Sequence, residues 1–258
     1  MTEIIFAPDG VENNALGAAA RNRRPNVFSG GQKLTYESVT HVIWDWNGTL
    51  LDDAAYCLDL TDRLLKIFRL PQMGSLEVYR EKFGFPVIDY YAKLGFDRQI
   101  FPEVAVIWMD AYMKNEKTIP LQPGAAEVTA RIREKGIRQV ILSASKLDNL
   151  LLQLSSRPQF SHFDPPRGLG DIYAGGKVDI ALRWMAETGA KRENTLLIGD
   201  TVHDLEVASA LGAGCILVEN GHQSRRRLRA AGADTVKDLS VIPSQVNPDS
   251  RALLPPDP

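Results

Sequence analysis

Short apolar runs alternate along this chain with longer segments in which apolar residues recur every three or four positions. The runs at residues 42–44, 140–142, 196–198 and 216–218 are rich in Val, Ile and Leu, which is typical of strands buried in a parallel sheet. The segments between them have the period of amphipathic helices. This alternation predicts an α/β fold in which helices cover a mostly parallel sheet and form a three-layer core.

The segment between the first two runs contains only helical patterns. Apolar residues from Cys57 to Phe68 follow a helical spacing, Pro71 and Gly74 interrupt it, and further helical segments follow as far as Met113. We therefore expect an all-helical insert between the first and second strands of the sheet. The Pro- and Gly-rich segment 157–176 is expected to be a surface connection.

Polar residues follow three of the apolar runs, at the points where strands are expected to end. Asp45 follows the first run, Ser143 the second and Asp200 the third. Gly48 permits a tight turn just beyond Asp45. Because open α/β sheets bind ligands at the carboxyl ends of their strands, we expect these side chains to meet at one site.

The spacing of two carboxylates indicates a cation site. Asp204 follows Asp200 by four positions, which places both carboxylates on one side of the turn that enters the next helix. Hard divalent cations such as Mg²⁺ prefer oxygen ligands of this kind. Lys177 lies at the start of another helical segment, where the helix dipole disfavours a positive charge. That placement makes physical sense if the ammonium group faces carboxylates and a phosphate.

These residues carry a resemblance to a known family. The segment DWNGTL at residues 45–50 resembles the first motif of the haloacid dehalogenase (HAD) superfamily, D-x-D-G-T-[LV]. The strand ending in Ser143, the lysine at position 177 and the segment GDTVHD at residues 199–204 are similar to the second, third and fourth motifs, in the family's order. The resemblance implies a Rossmann-like core with an inserted helical cap of the C1 type. Most members of the superfamily are magnesium-dependent phosphatases.

The resemblance also implies a role for each matching residue. Asp45 would attack phosphorus and form an aspartyl-phosphate, in a phosphatase acting on a small phosphorylated metabolite. The expected catalytic residues are Asp45, Asn47 and Lys177. The residues expected to contact the phosphate are Ser143, Lys177, Gly48 and Thr49. The residues expected to hold Mg²⁺ are Asp45, Asp200, Asp204 and, through its backbone carbonyl, Asn47.

Asn47 departs from the family pattern, because HAD phosphatases usually have a proton-transferring Asp at this position and an amide cannot replace it. Three interpretations compete. The protein is a phosphomonoesterase resembling phosphoglycolate phosphatases, in which case Asn47→Asp is expected to raise turnover. A second interpretation is a C–P hydrolase resembling phosphonoacetaldehyde hydrolase, whose Schiff-base lysine would be Lys82 or Lys93, although we expect both to be ordinary surface lysines. The third interpretation is a catalytically impaired phosphoryl-binding or interaction module. The retained carboxylates and Lys177 argue against such a loss of activity.

Composition limits the partners and the location. The chain has 258 residues and a net charge of −2, so its charge gives no reason to expect nucleic-acid binding. Two cysteines and the lack of an apolar run near the roughly 20 residues that span a bilayer favour a cytoplasmic protein without a membrane partner. The sequence leaves the oligomeric state open. The predicted parts are an N-terminal arm at 1–38, the core at 39–53 and 119–240, the cap at 54–118 and a C-terminal tail at 241–258.

Overall fold

A six-stranded parallel sheet forms the centre of the molecule in the computed structural model of the protein, which describes residues 36–242 and 246–248. The strands in chain order are Tyr36–Val39 (β1), His41–Trp44 (β2), Arg138–Lys146 (β3), Asp164–Leu169 (β4), Thr195–Gly199 (β5), Gly214–Val218 (β6), Thr235–Val236 (β7) and Val246–Pro248 (β8). The order across the sheet is β4-β3-β2-β5-β6-β7, and all of its pairs are parallel. The predicted α/β fold class is confirmed.

The central strand β2 explains why the site lies where it does. Ile43 pairs with Val140 of β3 on one side and with Leu197 of β5 on the other. Val42 and Trp44 pack into the core on one face of the sheet, whereas Ile43 packs into the core on the opposite face. The strand is therefore buried on both sides, and the ends of β2, β3 and β5 meet at one edge.

Helices cover both faces of the sheet and also form an insert after β2. They are Ala54–Ile67 (α1), Leu76–Lys82 (α2), Val87–Lys93 (α3), Phe101–Lys114 (α4), Ala125–Glu134 (α5), Leu147–Ser155 (α6), Val178–Thr188 (α7), Val202–Leu211 (α8) and Arg225–Ala230 (α9). Helices α1 to α4 lie between β2 and β3, where the sequence predicted a helical insert. The division into core and cap after residues 53 and 118 stays a prediction. Within the described residues, no helix is long and apolar enough to cross a membrane.

Some strands were not predicted from the sequence. β4 lies in the segment expected to be an irregular connection, and it contains Pro165 and Pro166. Prolines are tolerated there because β4 is the edge strand of the sheet. The predicted arm and tail lie outside the described residues except at their inner ends, where β1 and β8 pair as a separate parallel sheet.

A buried ion pair joins the return from the insert to the end of α6. Arg157 Nη1 lies 3.2 Å from Glu116 Oε2, and both side chains are buried. The guanidinium also donates to the backbone carbonyls of Glu116 (2.9 Å), Ile119 (3.2 Å) and Gln153 (2.5 Å). Because these acceptors belong to separate segments, Arg157 ties the incoming chain to the core.

We expect Arg157→Met to lower the free energy of unfolding by about 3–5 kcal/mol, because the change leaves the carboxylate of Glu116 buried without its partner. Urea denaturation followed by circular dichroism measures the effect. The matched control is Arg138→Met, which breaks an exposed pair with Asp164 and is expected to cost about 0–1 kcal/mol. Equal losses in the two variants would contradict the assigned role of Arg157.

Candidate active site

Buried carboxylates meet at the carboxyl ends of the central strands. Asp45 follows β2, Asp200 follows β5, and Asp204 lies in the first turn of α8. These three residues each offer an oxygen within 4.8 Å of the others, and all are buried. Asp204 is fixed by a capping box, since its Oδ2 accepts from the backbone N–H (3.0 Å) and hydroxyl (2.7 Å) of Thr201. The structure thus brings together the acidic residues that the sequence proposed as metal ligands.

Lys177 is the counter-charge of this cluster. Its side chain is buried just before α7, its Nζ lies 2.6 Å from Asp204 Oδ1, and it also donates to Asp45. Burial by itself lowers the pKa of Lys177, but the charges of Asp204 and Asp45 outweigh burial and raise the pKa above its usual range. The lysine therefore stays protonated between two carboxylates.

One lysine does not neutralise three buried carboxylates. Burial, reinforced by Asp204 and Asp200, raises the pKa of Asp45 to about 8 even though Lys177 opposes the shift. Burial also raises the pKa of Asp200 to about 6, with Asp204 adding to the effect. A divalent cation would favour the ionised forms of these carboxyl groups, and the oxygen donors present are those that Mg²⁺ prefers. The residues present therefore fit such a cation.

Two glycines allow these carboxylates to approach the backbone. Gly48 has a φ of +79°, and a Cβ there would lie 2.4 Å from Asp200 Oδ2. A Cβ at Gly199 would lie 2.3 Å from Asp204 Cγ. The buried hydroxyl of Thr49 donates to Asp200 Oδ1 at 2.9 Å. In this arrangement Gly48 and Thr49 support the carboxylates, and their contact with a phosphate stays a prediction.

Asn47 is held by partners on both sides of its amide. Its Nδ2 donates to Asp53 Oδ2 at 2.7 Å and to the hydroxyl of Tyr112 at 2.9 Å. Its Oδ1 accepts from Ser145 Oγ at 2.9 Å and from Ser143 Oγ at 3.4 Å. Both serines, which lie near the carboxyl end of β3, thus reach this amide. Ser143 is the more deeply buried of the pair.

A buried network around Asp53 was missed at the level of sequence. Asp53 Oδ1 accepts from the backbone N–H of Gly48 at 2.9 Å and lies 3.1 Å from His222 Nε2. His222 Nδ1 lies 2.7 Å from the hydroxyl of Tyr79 on α2. Burial by itself lowers the pKa of His222, but Asp53 more than offsets this and raises the pKa to about 9. The available signal was a second acidic residue directly before α1, whereas nothing near His222 in sequence pointed to the site.

Two arginines, one from the insert and one from α9, hold the helical insert over the strand ends. Arg80 donates to the backbone carbonyls of Gly221 (2.8 Å) and Asn220 (2.5 Å), which follow β6. In return, Arg227 donates to the carbonyl of Arg80 at 2.9 Å. The ring of Phe85 stacks on His203 of α8 with 4.7 Å between ring centroids. The insert therefore closes over the carboxylates rather than standing away from them.

A cavity lies between the insert and the strand ends. Its lining includes Asp45, Asn47, Ser143, Lys177 and Asp204, so most of the predicted site residues face one space. The insert lysines considered for a Schiff base, Lys82 and Lys93, are exposed and are not among the residues that line the cavity. The lysine that reaches the cavity belongs to the core.

Comparison with known proteins identifies the family of this chain. The model of the haloacid dehalogenase-like hydrolase family matches residues 42–218, more than half of the chain. The chain belongs to the haloacid dehalogenase-like hydrolases, as its motifs indicated. It is similar to a phosphoglycolate phosphatase of Pseudomonas putida, with 26% identity over 224 residues that cover 83% of this chain and 78% of that protein.

Solved structures share the fold. A predicted phosphatase from Clostridium acetobutylicum superposes with a TM-score of 0.70 at 20% identity and covers 81% of this chain and 98% of that one. A haloacid dehalogenase-like hydrolase from Streptococcus pneumoniae gives a TM-score of 0.69 at 17% identity, with 80% and 97% covered. At this level of identity, the comparison supports the architecture and not the substrate.

The neighbourhood of Asn47 leads to an expectation for the stability of Asn47→Asp, since the new carboxylate would lie against that of Asp53. We expect this variant to lower the free energy of unfolding at pH 7 by about 1 kcal/mol or more, because a hydrogen bond becomes a repulsion between like charges. Chemical denaturation provides the measurement. Asn149→Asp, at another half-buried asparagine that lines the cavity, is the control and is expected to change stability less. An Asn47→Asp protein as stable as the parent would rule out a repulsive contact with Asp53.

Proposed function

We propose that the protein is a magnesium-dependent phosphatase that transfers a phosphoryl group to Asp45 and then hydrolyses the aspartyl-phosphate. The observation that carries this proposal is the position of Asp45. Its carboxylate follows the central strand, contacts the ammonium group of Lys177 and lines the cavity beneath the insert. A carboxylate nucleophile beside a fixed cation fits attack on an anionic phosphate ester.

Repulsion between the carboxylate and the substrate is the main obstacle to this reaction. Lys177 is protonated and already aligned on Asp45, so it would stabilise negative charge on the transferring phosphoryl oxygens. Mg²⁺ would be held by Asp45, Asp200, Asp204 and the backbone carbonyl of Asn47. When bound, it supplies positive charge that offsets repulsion between the two anions. Lys177 and Mg²⁺ would then both offset the negative charge of Asp45 and Asp204.

Asn47 sets the expected kinetics. Its amide cannot protonate a leaving oxygen or deprotonate water, and its side chain is engaged by Asp53 and the two serines. Transfer to Asp45 would therefore favour esters whose leaving groups need little protonation. Hydrolysis of the aspartyl-phosphate would be the slow step and would produce a pre-steady-state burst.

The exposed positions of Lys82 and Lys93 favour this proposal over a Schiff-base hydrolase. A cap lysine that forms an imine must reach the reacting carbonyl, which here would lie in the cavity. The third interpretation, a phosphoryl-binding module without turnover, shares every contact described above. Measured phosphate release separates it from the phosphatase.

We expect Asp45→Asn to reduce phosphate release from p-nitrophenyl phosphate by at least about 10⁴-fold, because the variant lacks the attacking oxygen anion. A malachite-green assay with Mg²⁺ measures release, and Asp110→Asn on the exposed face of α4 is the matched control. Comparable turnover in Asp45→Asn and Asp110→Asn would exclude Asp45 as the nucleophile. No release from the parent protein on any ester would favour the binding module.

Mg²⁺ is expected to raise the thermal midpoint of the protein, because it binds the folded carboxylate cluster and not the unfolded chain. At a concentration about 100 times its Kd, the gain is about 2.7 kcal/mol. Differential scanning fluorimetry detects this gain without turnover. It should be lost in Asp200→Asn and kept in Asp110→Asn. A similar Mg²⁺ response in the two variants would argue against a cation at this cluster.

A further inference from the structure

The cap side of the cavity is built from aromatic and apolar side chains. The insert contributes Phe83, Phe85, Tyr91, Phe101, Trp108 and Met109 to the lining. Several of these rings pack against one another, as in the pair Phe83 and Phe85 with centroids 5.6 Å apart and the pair Tyr91 and Phe101 at 5.7 Å. The wall is therefore a preformed apolar surface in the same cavity as the phosphoryl end, which is the part lined by Asp45 and Lys177.

Three other tyrosines of the insert line the cavity, and their hydroxyls are engaged by protein groups. The hydroxyl of Tyr79 bonds His222, that of Tyr112 donates to Asp53 at 2.8 Å, and that of Tyr90 contacts Met73 Sδ at 3.6 Å. A ligand in the cavity meets these residues through their rings more than through their hydroxyls. The lining also includes the uncharged polar side chains of Thr61, Asn149 and Gln153.

Positive charge is confined to the phosphoryl end. Among the lining residues that the structure describes, Lys177 is the only lysine or arginine, and it is held by Asp45 and Asp204. His222 also lines the cavity, but both of its ring nitrogens are engaged, one by Asp53 and one by Tyr79. A second anionic group on a substrate would find no free cation among these lining residues.

We propose that the substrate is a phosphate monoester of an uncharged, largely apolar alcohol, with an aromatic or branched part that packs against the cap wall. This inference rests on the proposed phosphatase activity. A carboxylate-bearing ester such as phosphoglycolate fits poorly, because burying a carboxylate without a partner is costly. An uncharged ring gains contact with the aromatic wall instead. The substrate class would thus differ from the one named for the similar Pseudomonas putida protein.

Benzyl phosphate and 4-carboxybenzyl phosphate test this directly, since they share the leaving oxygen and differ mainly in the distal carboxylate. We expect kcat/KM to be at least about tenfold higher for benzyl phosphate, and higher for it than for phosphoglycolate. A preference for either carboxylate-bearing ester would overturn the inferred substrate class while leaving the phosphatase proposal in place.

Binding to Asp45→Asn decides the inference without turnover. With Mg²⁺ present, isothermal titration of this variant should give a Kd for benzyl phosphate at least about tenfold below that for 4-carboxybenzyl phosphate. Equal or reversed affinities contradict the inference. Absent phosphate release combined with the expected affinity ratio would instead contradict the proposed reaction alone.

A charge placed in the wall should reverse the discrimination. Met109→Arg puts a guanidinium into the lining and is expected to shift the kcat/KM ratio of the two benzyl esters by about tenfold toward the carboxylate. Ile107→Arg, on the exposed face of the same helix, is the matched control and should leave the ratio unchanged. An equal shift in both variants would point to long-range charge and count against the wall. Should Met109→Arg fail to fold, the two experiments on the parent and Asp45→Asn proteins still decide the question.

Discussion

Crowded negative charge at the carboxyl ends of β2 and β5 is the constraint on which the rest of the site depends. Asp45, Asp200 and Asp204 are buried together, and Lys177 balances only part of their charge. Such a cluster is tolerated only if fixed donors satisfy its oxygens and a cation can join it. Thr49, Thr201 and the backbone N–H of His222 supply those donors. Gly48 and Gly199 give them room to do so.

The exchange of a carboxylate for an amide at position 47 is best understood with its neighbours. Asp53 stands 2.7 Å from the Asn47 amide and is paired with His222. The carboxylate nearest to the Asn47 side chain thus belongs to Asp53, which is paired with His222. The amide is oriented by this carboxylate on one side and by two serine hydroxyls on the other. Its side chain thus has a fixed place in the site even though it cannot transfer a proton.

The closed insert links this chemistry to substrate choice. Arg80 and Arg227 hold the insert through backbone carbonyls, so its position does not depend on a bound ligand to provide the contacts. The insert contributes an aromatic wall to the cavity that also contains the phosphoryl end. A charged phosphoryl end and an uncharged wall divide the cavity into a reactive part and a selective part.

Local pattern was enough to predict the sheet, the helical insert and the acidic residues at the strand ends, because buried strands and amphipathic helices leave periodic signals in neighbouring residues. The same logic missed β4 and β7, since an edge strand with two prolines and a strand of two residues carry no such signal. Local pattern could not predict the cluster of Asp53, His222 and Tyr79. They are brought together from positions up to 169 residues apart, so only the folded chain places them around Asn47. The aromatic wall is also a tertiary feature, because helical spacing marks those rings as core without showing that they border a cavity.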